Sequence, residues 1–413
     1  MADRIRKIII RGYPLLFYLL LVGLFLKGEV FRVHYYGVSA SFTSVKVLAV
    51  IFIGWWLLLL LCEKTKPHIS RWLYPVLFLA VVQAVVSIDR MGTLGAELVL
   101  LVYIMWFFSV ESVMRRTAVV INTIILLVIL SGLVNLLNLY FHYCAGEQAI
   151  IEHYPFWRGK NALGLFLVIS FCLSCSLRGR RFWSIAGALS ALLLIPGIIF
   201  SYSRSAWIAG AVAAAGLAVF RFKRMLFLTV VCIVILLGIS PEVVFQRTAS
   251  VFSRRDTNTD QRIELWHNTL AMIQQRPVTG TGLGTFTEAY QSEFPDSFPG
   301  RGEGSRPARH AHNLYLQLLE ETGILGLLLF LIMVTVGLFY GIRNIIKEED
   351  VLVKSIRYGS LMGIFAFLVY SLFDCTVSWR FIGDSFLHIN LIWLLLWVII
   401  LRPKDQFSCS IGI

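Results

Sequence analysis

The residues best equipped for chemistry lie in one stretch and at two arginines. The stretch is His310-Ala311-His312-Asn313-Leu314-Tyr315-Leu316-Gln317-Leu318-Leu319-Glu320-Glu321-Thr322-Gly323. The arginines are Arg204, in Ser201-Tyr202-Ser203-Arg204-Ser205-Ala206-Trp207, and Arg262, in Asp260-Gln261-Arg262-Ile263-Glu264-Leu265-Trp266. Imidazole exchanges protons near neutral pH. Arginine is a permanent cation whose planar donors suit phosphate oxygens. Together they could take a proton from a hydroxyl while an anionic group departs. His312, at a loop-to-helix junction, is the preferred base. That role needs a neutral ring, and nearby arginines and a helix N-terminus disfavour the imidazolium. His310, two residues away, is expected to point elsewhere on a helix and ranks second. Glu320 and Glu321, two turns on, are expected to miss this centre.

Each candidate has a plainer reading. Ser201 or Ser203 is expected to cap the helix after Arg204, where free N–H groups and the helix dipole favour an anion. The alternative is an interfacial arginine snorkelling to water beside Trp207. Arg262 and Trp266 share one helical face, as they would on any solvated loop helix. Arg158, Lys160 and Asn161, in His153-Tyr154-Pro155-Phe156-Trp157-Arg158-Gly159-Lys160-Asn161, precede an apolar helix and suit either anion binding or interfacial anchoring. Asp374 and Arg380 flank another connection, where they could pair with each other or orient the histidine. Thr279-Gly280-Thr281-Gly282-Leu283-Gly284-Thr285 lacks the lysine and strand of a phosphate-binding P-loop. It reads as a tight turn in which glycine supplies positive φ. No metal-binding signature is present, and the spacing of Glu288 and Glu293 is not diagnostic. Cys172 and Cys175 form a C-x-x-C inside an apolar run and read as small buried hydrophobes.

The elements that position these residues follow from hydropathy. Of 413 residues, 58% are hydrophobic, and the mean hydropathy is +0.76. Runs such as Leu15–Leu26, Val47–Leu61 and Leu387–Leu401 hold almost no charge. The predicted fold class is an all-α polytopic membrane protein of about 12 transmembrane helices with one long, partly helical loop. Cores are expected near 13–27, 42–62, 72–88, 94–110, 118–141, 161–177, 182–200, 205–220, 225–239, 313–342, 356–373 and 385–401. The run 313–342 is long enough for its first turns to project or tilt.

The net charge of +13 resides largely in short connections, a topogenic pattern that argues against nucleic acid as a partner. Cations crowd both termini and alternate connections, including Lys64, Lys66 and Arg71; Arg115 and Arg116; Arg178, Arg180 and Arg181; and Arg343, Lys347 and Lys354. Both termini are therefore expected in the cytoplasm, with Ser240–Arg309 outside. In that segment Asp260 could cap a helix that ends before Pro277, 286–294 could form a second, and 295–307 reads as mobile. The expected division is 1–239 (transmembrane helices 1–9), 240–311 (large periplasmic loop) and 312–413 (transmembrane helices 10–12 and a cytoplasmic tail). The first apolar run shows no cleavage site and is expected to stay as a helix.

Several of these stretches resemble one family. His312-Asn313 followed by Gly323 and Gly326 resembles the His-Asn…Gly…Gly signature of bacterial O-antigen ligases. Ser203-Arg204-Ser205-Ala206-Trp207 resembles the arginine motif of that superfamily. Asp260 to Trp266, with Pro277 and Gly280-Thr281-Gly282, resembles its large periplasmic loop. The likeness runs from about Trp157 to Trp379; the N-terminal third matches in hydropathy alone. The resemblance implies a GT-C-like glycosyltransferase of the bacterial inner membrane, with its site at the periplasmic face. The donor would be a glycan on undecaprenyl pyrophosphate and the acceptor a lipid A–core sugar. The transfer would be inverting and metal-independent, with no cofactor. His312, Arg204 and Arg262 would be catalytic; Arg158, Lys160, Asn161, Trp266, Asn313, Arg380 and Asp374 would bind substrate. Membrane lipids are the remaining partners, and a monomer is the expected state. A polymerase of the same superfamily, a lipid-linked glycan transporter and a structural membrane protein are the alternatives.

Overall fold

The computed structural model describes residues 2–24, 29–35, 38–63, 73–152, 160–179, 181–219, 230, 257–295, 308, 310–375 and 384–402. Among them the chain is helical apart from one hairpin. The first eight helices are α1 (Ala2–Gly23), α2 (Ser44–Glu63), α3 (Leu73–Val86), α4 (Arg90–Val113), α5 (Thr117–Glu152), α6 (Lys160–Ser176), α7 (Arg181–Phe200) and α8 (Arg204–Val219). They are followed by α9 (Thr257–Gln275), α10 (Phe286–Glu293), α11 (Leu314–Lys347), α12 (Val351–Tyr370) and α13 (Asp384–Leu401). Among the described residues, five helices are long and apolar enough to cross a membrane, and further shorter apolar helices accompany them. The architecture is that of a polytopic helical membrane protein. Every expected span overlaps a helix except 225–239, which lies outside the described residues save Val230.

Three elements depart from the expected pattern. Strands β1 (Glu29–Tyr35) and β2 (Val38–Thr43) form an antiparallel hairpin between α1 and α2. The β-branched and aromatic residues of Val-Phe-Arg-Val-His-Tyr favour that backbone. Helix α1 begins at Ala2 and carries Pro14 within it, rather than starting near residue 13. Helix α11 is broken at Gly323, whose φ of 63° and ψ of −171° are non-helical.

Helix α6 lies at the centre. Ala162 to Ser176 are buried on every side, as an all-round apolar helix requires, and α5, α7, α8, α12 and α13 surround it. Close approach depends on small residues. A Cβ on Gly164 would lie 2.7 Å from Ala206 Cβ and 2.9 Å from Ser201 Oγ, so glycine lets α6 run against the α7–α8 turn. Cys172 and Cys175 are free thiols buried in this helix, as expected.

A second, smaller apolar cluster gathers Leu265 and Met272 of α9, Phe286, Ala289 and Tyr290 of α10, and Ala308 and Ala311. It seats the loop helices on the end of the bundle where α6 starts and α12 finishes.

Candidate active site

Helix α12 ends in a turn that presents Asp374, which is 1% exposed. Each oxygen of its carboxylate is engaged. Oδ1 lies 3.0 Å from His312 Nδ1 and accepts from the Cys375 amide at 3.0 Å. Oδ2 accepts from Asn161 Nδ2 at 2.8 Å and from the Tyr370 hydroxyl at 3.0 Å. Burial alone would raise the Asp374 carboxyl. The His312 hydrogen bond and the positive charges of His312, His310 and Arg262 outweigh burial and hold it below the usual carboxylate range. The group is an anion with its two oxygens aimed in different directions.

His312 is fixed by the chain around it. Asn313 caps α11, its Oδ1 accepting from the amides of Tyr315 (2.9 Å) and Leu316 (3.1 Å). The Leu314 amide donates to Ser371 O at 2.9 Å, tying this helix start to the Asp374 turn. The Ala311 amide donates to Gln317 Oε1 at 2.8 Å, and Trp266 Nε1 donates to Ala311 O at 2.9 Å. His312 has a φ of 50°; Tyr202, in the α7–α8 turn, has 51°. These are the non-glycine residues at positive φ among those described, and such strain concentrates at functional sites.

The Arg262 side chain and the helix start that carries Arg204 both meet this turn. Arg262 Nη1 donates to the Phe373 carbonyl at 3.0 Å, one residue before Asp374. Arg204 is the first residue of α8. Its neighbour Ser203 caps that helix, accepting from the Ala206 amide at 3.4 Å, and also hydrogen-bonds Tyr370. The chain Ser203–Tyr370–Asp374–His312 therefore joins the arginine segment of α8 to the histidine. Ser203 is the cap, while Ser201 Oγ donates to Ile198 O at 2.7 Å.

Other expected site residues have assignable places. Asn161 touches Asp374, Trp266 donates to the Ala311 carbonyl, and Asn313 caps a helix, so each has a positioning contact within the protein. Lys160 opens α6, next to Asn161. Arg158 and Arg380 lie outside the described residues, as do 240–256 and 296–307. His310 is not on a helix, since α11 starts only at Leu314. Its ring lies 4.2 Å from that of His312, centroid to centroid, instead of pointing away. One nitrogen from each histidine and one Asp374 oxygen lie within 4.8 Å of one another, close enough to hold a metal ion. Asp260 sits in the first turn of α9, which starts earlier, at Thr257.

Glu320 and Glu321 are buried elsewhere. Glu320 Oε1 accepts from Thr281 Oγ1 at 2.7 Å and Glu321 Oε1 from Gln317 Nε2 at 2.6 Å. The glycine turn packs against the break in α11, with φ of 70°, 122° and 78° at Gly280, Gly282 and Gly284. Its amides at Thr281 and Gly282 donate to the carbonyls of Glu320 (3.0 Å) and Glu321 (2.9 Å). Those donors brace the helix break instead of cradling a phosphate. Sequence reasoning missed Tyr370, one helical turn before Asp374; a lone hydroxyl at that spacing was the available signal.

A protein of Rickettsia conorii (strain ATCC VR-613 / Malish 7), provisionally named a polysaccharide ligase, is 26% identical over 193 residues. The match covers 44% of this chain and 42% of the relative, so the chain spans less than half of that protein's length. Residues 188–331 match the family described as O-antigen ligase. That stretch holds Arg204, Arg262 and His312 but ends before Asp374. Over residues 188–331 the chain is thus similar to the O-antigen ligase family.

Proposed function

We propose that this chain transfers a glycan from undecaprenyl pyrophosphate to a hydroxyl of the lipid A–core oligosaccharide, at the periplasmic face of the inner membrane. The observation that carries this reading is the buried Asp374 carboxylate 3.0 Å from His312 Nδ1, with Arg262 fixed on the adjoining Phe373 carbonyl. The family match and the relative's name support it.

In this reading the His312 Nδ1–H donates a hydrogen bond to the Asp374 carboxylate, which leaves the lone pair on Nε2 for the acceptor hydroxyl. Asp374 holds the ring in that tautomer and stabilises the positive charge formed when the proton arrives. The acceptor oxygen attacks the anomeric carbon opposite the leaving group, the sugar–phosphate bond breaks, and configuration inverts. Arg262 and Arg204 stabilise the charge that collects on the pyrophosphate. Attraction between unit charges at ~4 Å rises from about 1 kcal/mol in bulk water to about 4 kcal/mol at an effective dielectric of about 20. Fixed cations in a half-buried site exploit that difference. Pyrophosphate is already an activated leaving group, so the transfer requires neither a nucleotide nor a metal.

The test is reconstitution of purified protein with a lipid-linked glycan, with and without lipid A–core. Product joined to core, formed only when core is present, supports the ligase reading. Growth of the donor glycan without core identifies a polymerase. No glycosidic bond under either condition refutes transfer.

A further inference from the structure

We propose that His310, His312 and Asp374 form a reversible inhibitory site for a divalent transition-metal ion such as Zn2+, an inference whose inhibitory part rests on the transferase reading above. One ring nitrogen from each histidine and one carboxylate oxygen lie within 4.8 Å of one another. Zinc bonds to nitrogen and oxygen are about 2.0–2.2 Å long, which sets ligand atoms roughly 3.3 Å apart in a tetrahedron. The His312–Asp374 pair is already 3.0 Å apart. His310 is in the non-helical segment before the α11 cap, where a small shift closes the remaining gap.

The surroundings resemble a supported metal site. Asn161, Tyr370 and the Cys375 amide hold the Asp374 carboxylate from behind, as outer partners hold metal-ligating carboxylates. His312 is 35% exposed, which leaves an open side for water as a fourth ligand. Two imidazoles and one carboxylate suit zinc, copper, nickel or cobalt better than magnesium or calcium. Arg262 opposes a dication, because its charge acts on the same carboxylate. The balance favours an ion that comes and goes over a resident one.

Binding would silence the base by a definite route. The ion takes the Nδ1 lone pair of His312, and the ring's one proton moves through solvent from Nδ1 to Nε2, so the ring stays neutral. A neutral imidazole coordinated at Nδ1 carries its proton on Nε2. The nitrogen needed for the acceptor hydroxyl then becomes a donor.

The binding test needs no substrate. Purified full-length protein is titrated with Co2+ while the visible absorption of nitrogen- and oxygen-ligated cobalt is followed, and Zn2+ is then added as competitor. Saturable one-to-one binding is expected, weakened at least about tenfold by His310→Ala and by Asp374→Asn, and unchanged by His267→Ala on the exposed side of α9. No saturable binding, or binding that both variants leave intact, overturns the site. In the transfer assay, Zn2+ is expected to stop wild-type turnover and a chelator to restore it. His310→Ala should need at least about tenfold more Zn2+ than wild type for the same fractional loss of its own metal-free turnover. Binding without loss of transfer overturns the inhibitory role. Metal-free wild type that forms no product refutes the transferase reading instead, and the cobalt titration still decides the site.

Discussion

Asp374 is the residue on which the other side chains of the centre depend, since it touches the base, a helix start and a tyrosine hydroxyl at once. His312→Ala should lower transfer by roughly 10²–10⁴-fold, and Asp374→Asn should fall in the same range, because it loses both the tautomer lock and the countercharge. Both are read as turnover of protein that still purifies as a folded monodisperse species. Arg262→Ala should cost about 10²–10³-fold, the size seen when one charge-stabilising donor is removed. Arg262→Lys should recover little of that, because an ammonium cannot brace the Phe373 carbonyl and reach an anion with a planar fork. Wild-type turnover by any of these variants removes that residue from the mechanism. The depressed Asp374 carboxyl also links folding to pH. Its contribution is fully present above the unfolded value of about 3.9 and is lost as pH falls toward the lower folded value. The melting-temperature advantage of wild type over Asp374→Asn should therefore shrink between pH 6 and pH 3; an advantage that grows on acidification contradicts the assignment. His312 and Arg262, which the structure brings to the Asp374 turn, were legible because charge or imidazole stands out at the edge of apolar runs. Tyr370 and Ser203 were not, because a hydroxyl inside or beside a span carries no such contrast. Asp374 was legible as a group that could pair with Arg380 or orient the histidine; the structure places its buried carboxylate 3.0 Å from His312 Nδ1.

At the scale of elements, the break in α11 sets the position of His312. The helix starts at its Asn313 cap, runs to Thr322 and restarts after Gly323, where the Ile324 amide donates to Pro277 O at 2.9 Å. The carbonyls of Glu320 and Glu321, exposed by the break, are taken up by the glycine turn. Gln83 Nε2 of α3 reaches Thr279 O at 2.8 Å, so the N-terminal part of the chain also holds this joint. Gly323→Ala places a side chain at a positive φ and drives its Cβ into the Val278 carbonyl. A destabilisation of at least about 1–3 kcal/mol is expected, seen as a lower melting temperature. Gly54→Ala, whose added Cβ meets nothing within 4 Å, should be neutral or mildly stabilising. Equal melting temperatures for the two variants would mean that the break is not a structural requirement. Spans were legible at this scale because hydropathy is a property of each segment alone. The break was not, because a glycine in a long apolar run looks the same whether it permits close packing or interrupts a helix. The hairpin of 29–43 was passed over because it is short and follows a run read for its helical length.

Across the whole molecule, the two ends of the bundle differ in chemistry. One end gathers His312, Asp374, Arg262 and the start of α8. At the other, Arg357 pairs with Glu348 at 3.4 Å, both buried, and Arg402 donates to the Met114 carbonyl. Arg343, Lys347 and Lys354 stand around that second end. Between the ends, residues 324–347 of α11 rise about 36 Å at 1.5 Å per residue, more than the roughly 30 Å hydrocarbon core. Flanking cations favour the cytoplasmic side, so the end with Lys347 is expected inside and the His312 end outside. Two exposed positions test this directly: Gln274 near the end of α9 and Lys347 at the end of α11. In right-side-out vesicles a membrane-impermeant maleimide should label Gln274→Cys at once and Lys347→Cys only after detergent. The wild-type chain, with its seven cysteines, is labelled in parallel and its signal subtracted. The opposite labelling pattern would point the base and its arginines into the cytosol. A polysaccharide completed outside could not then reach them, and the proposed transfer would fail even with every side chain correctly placed.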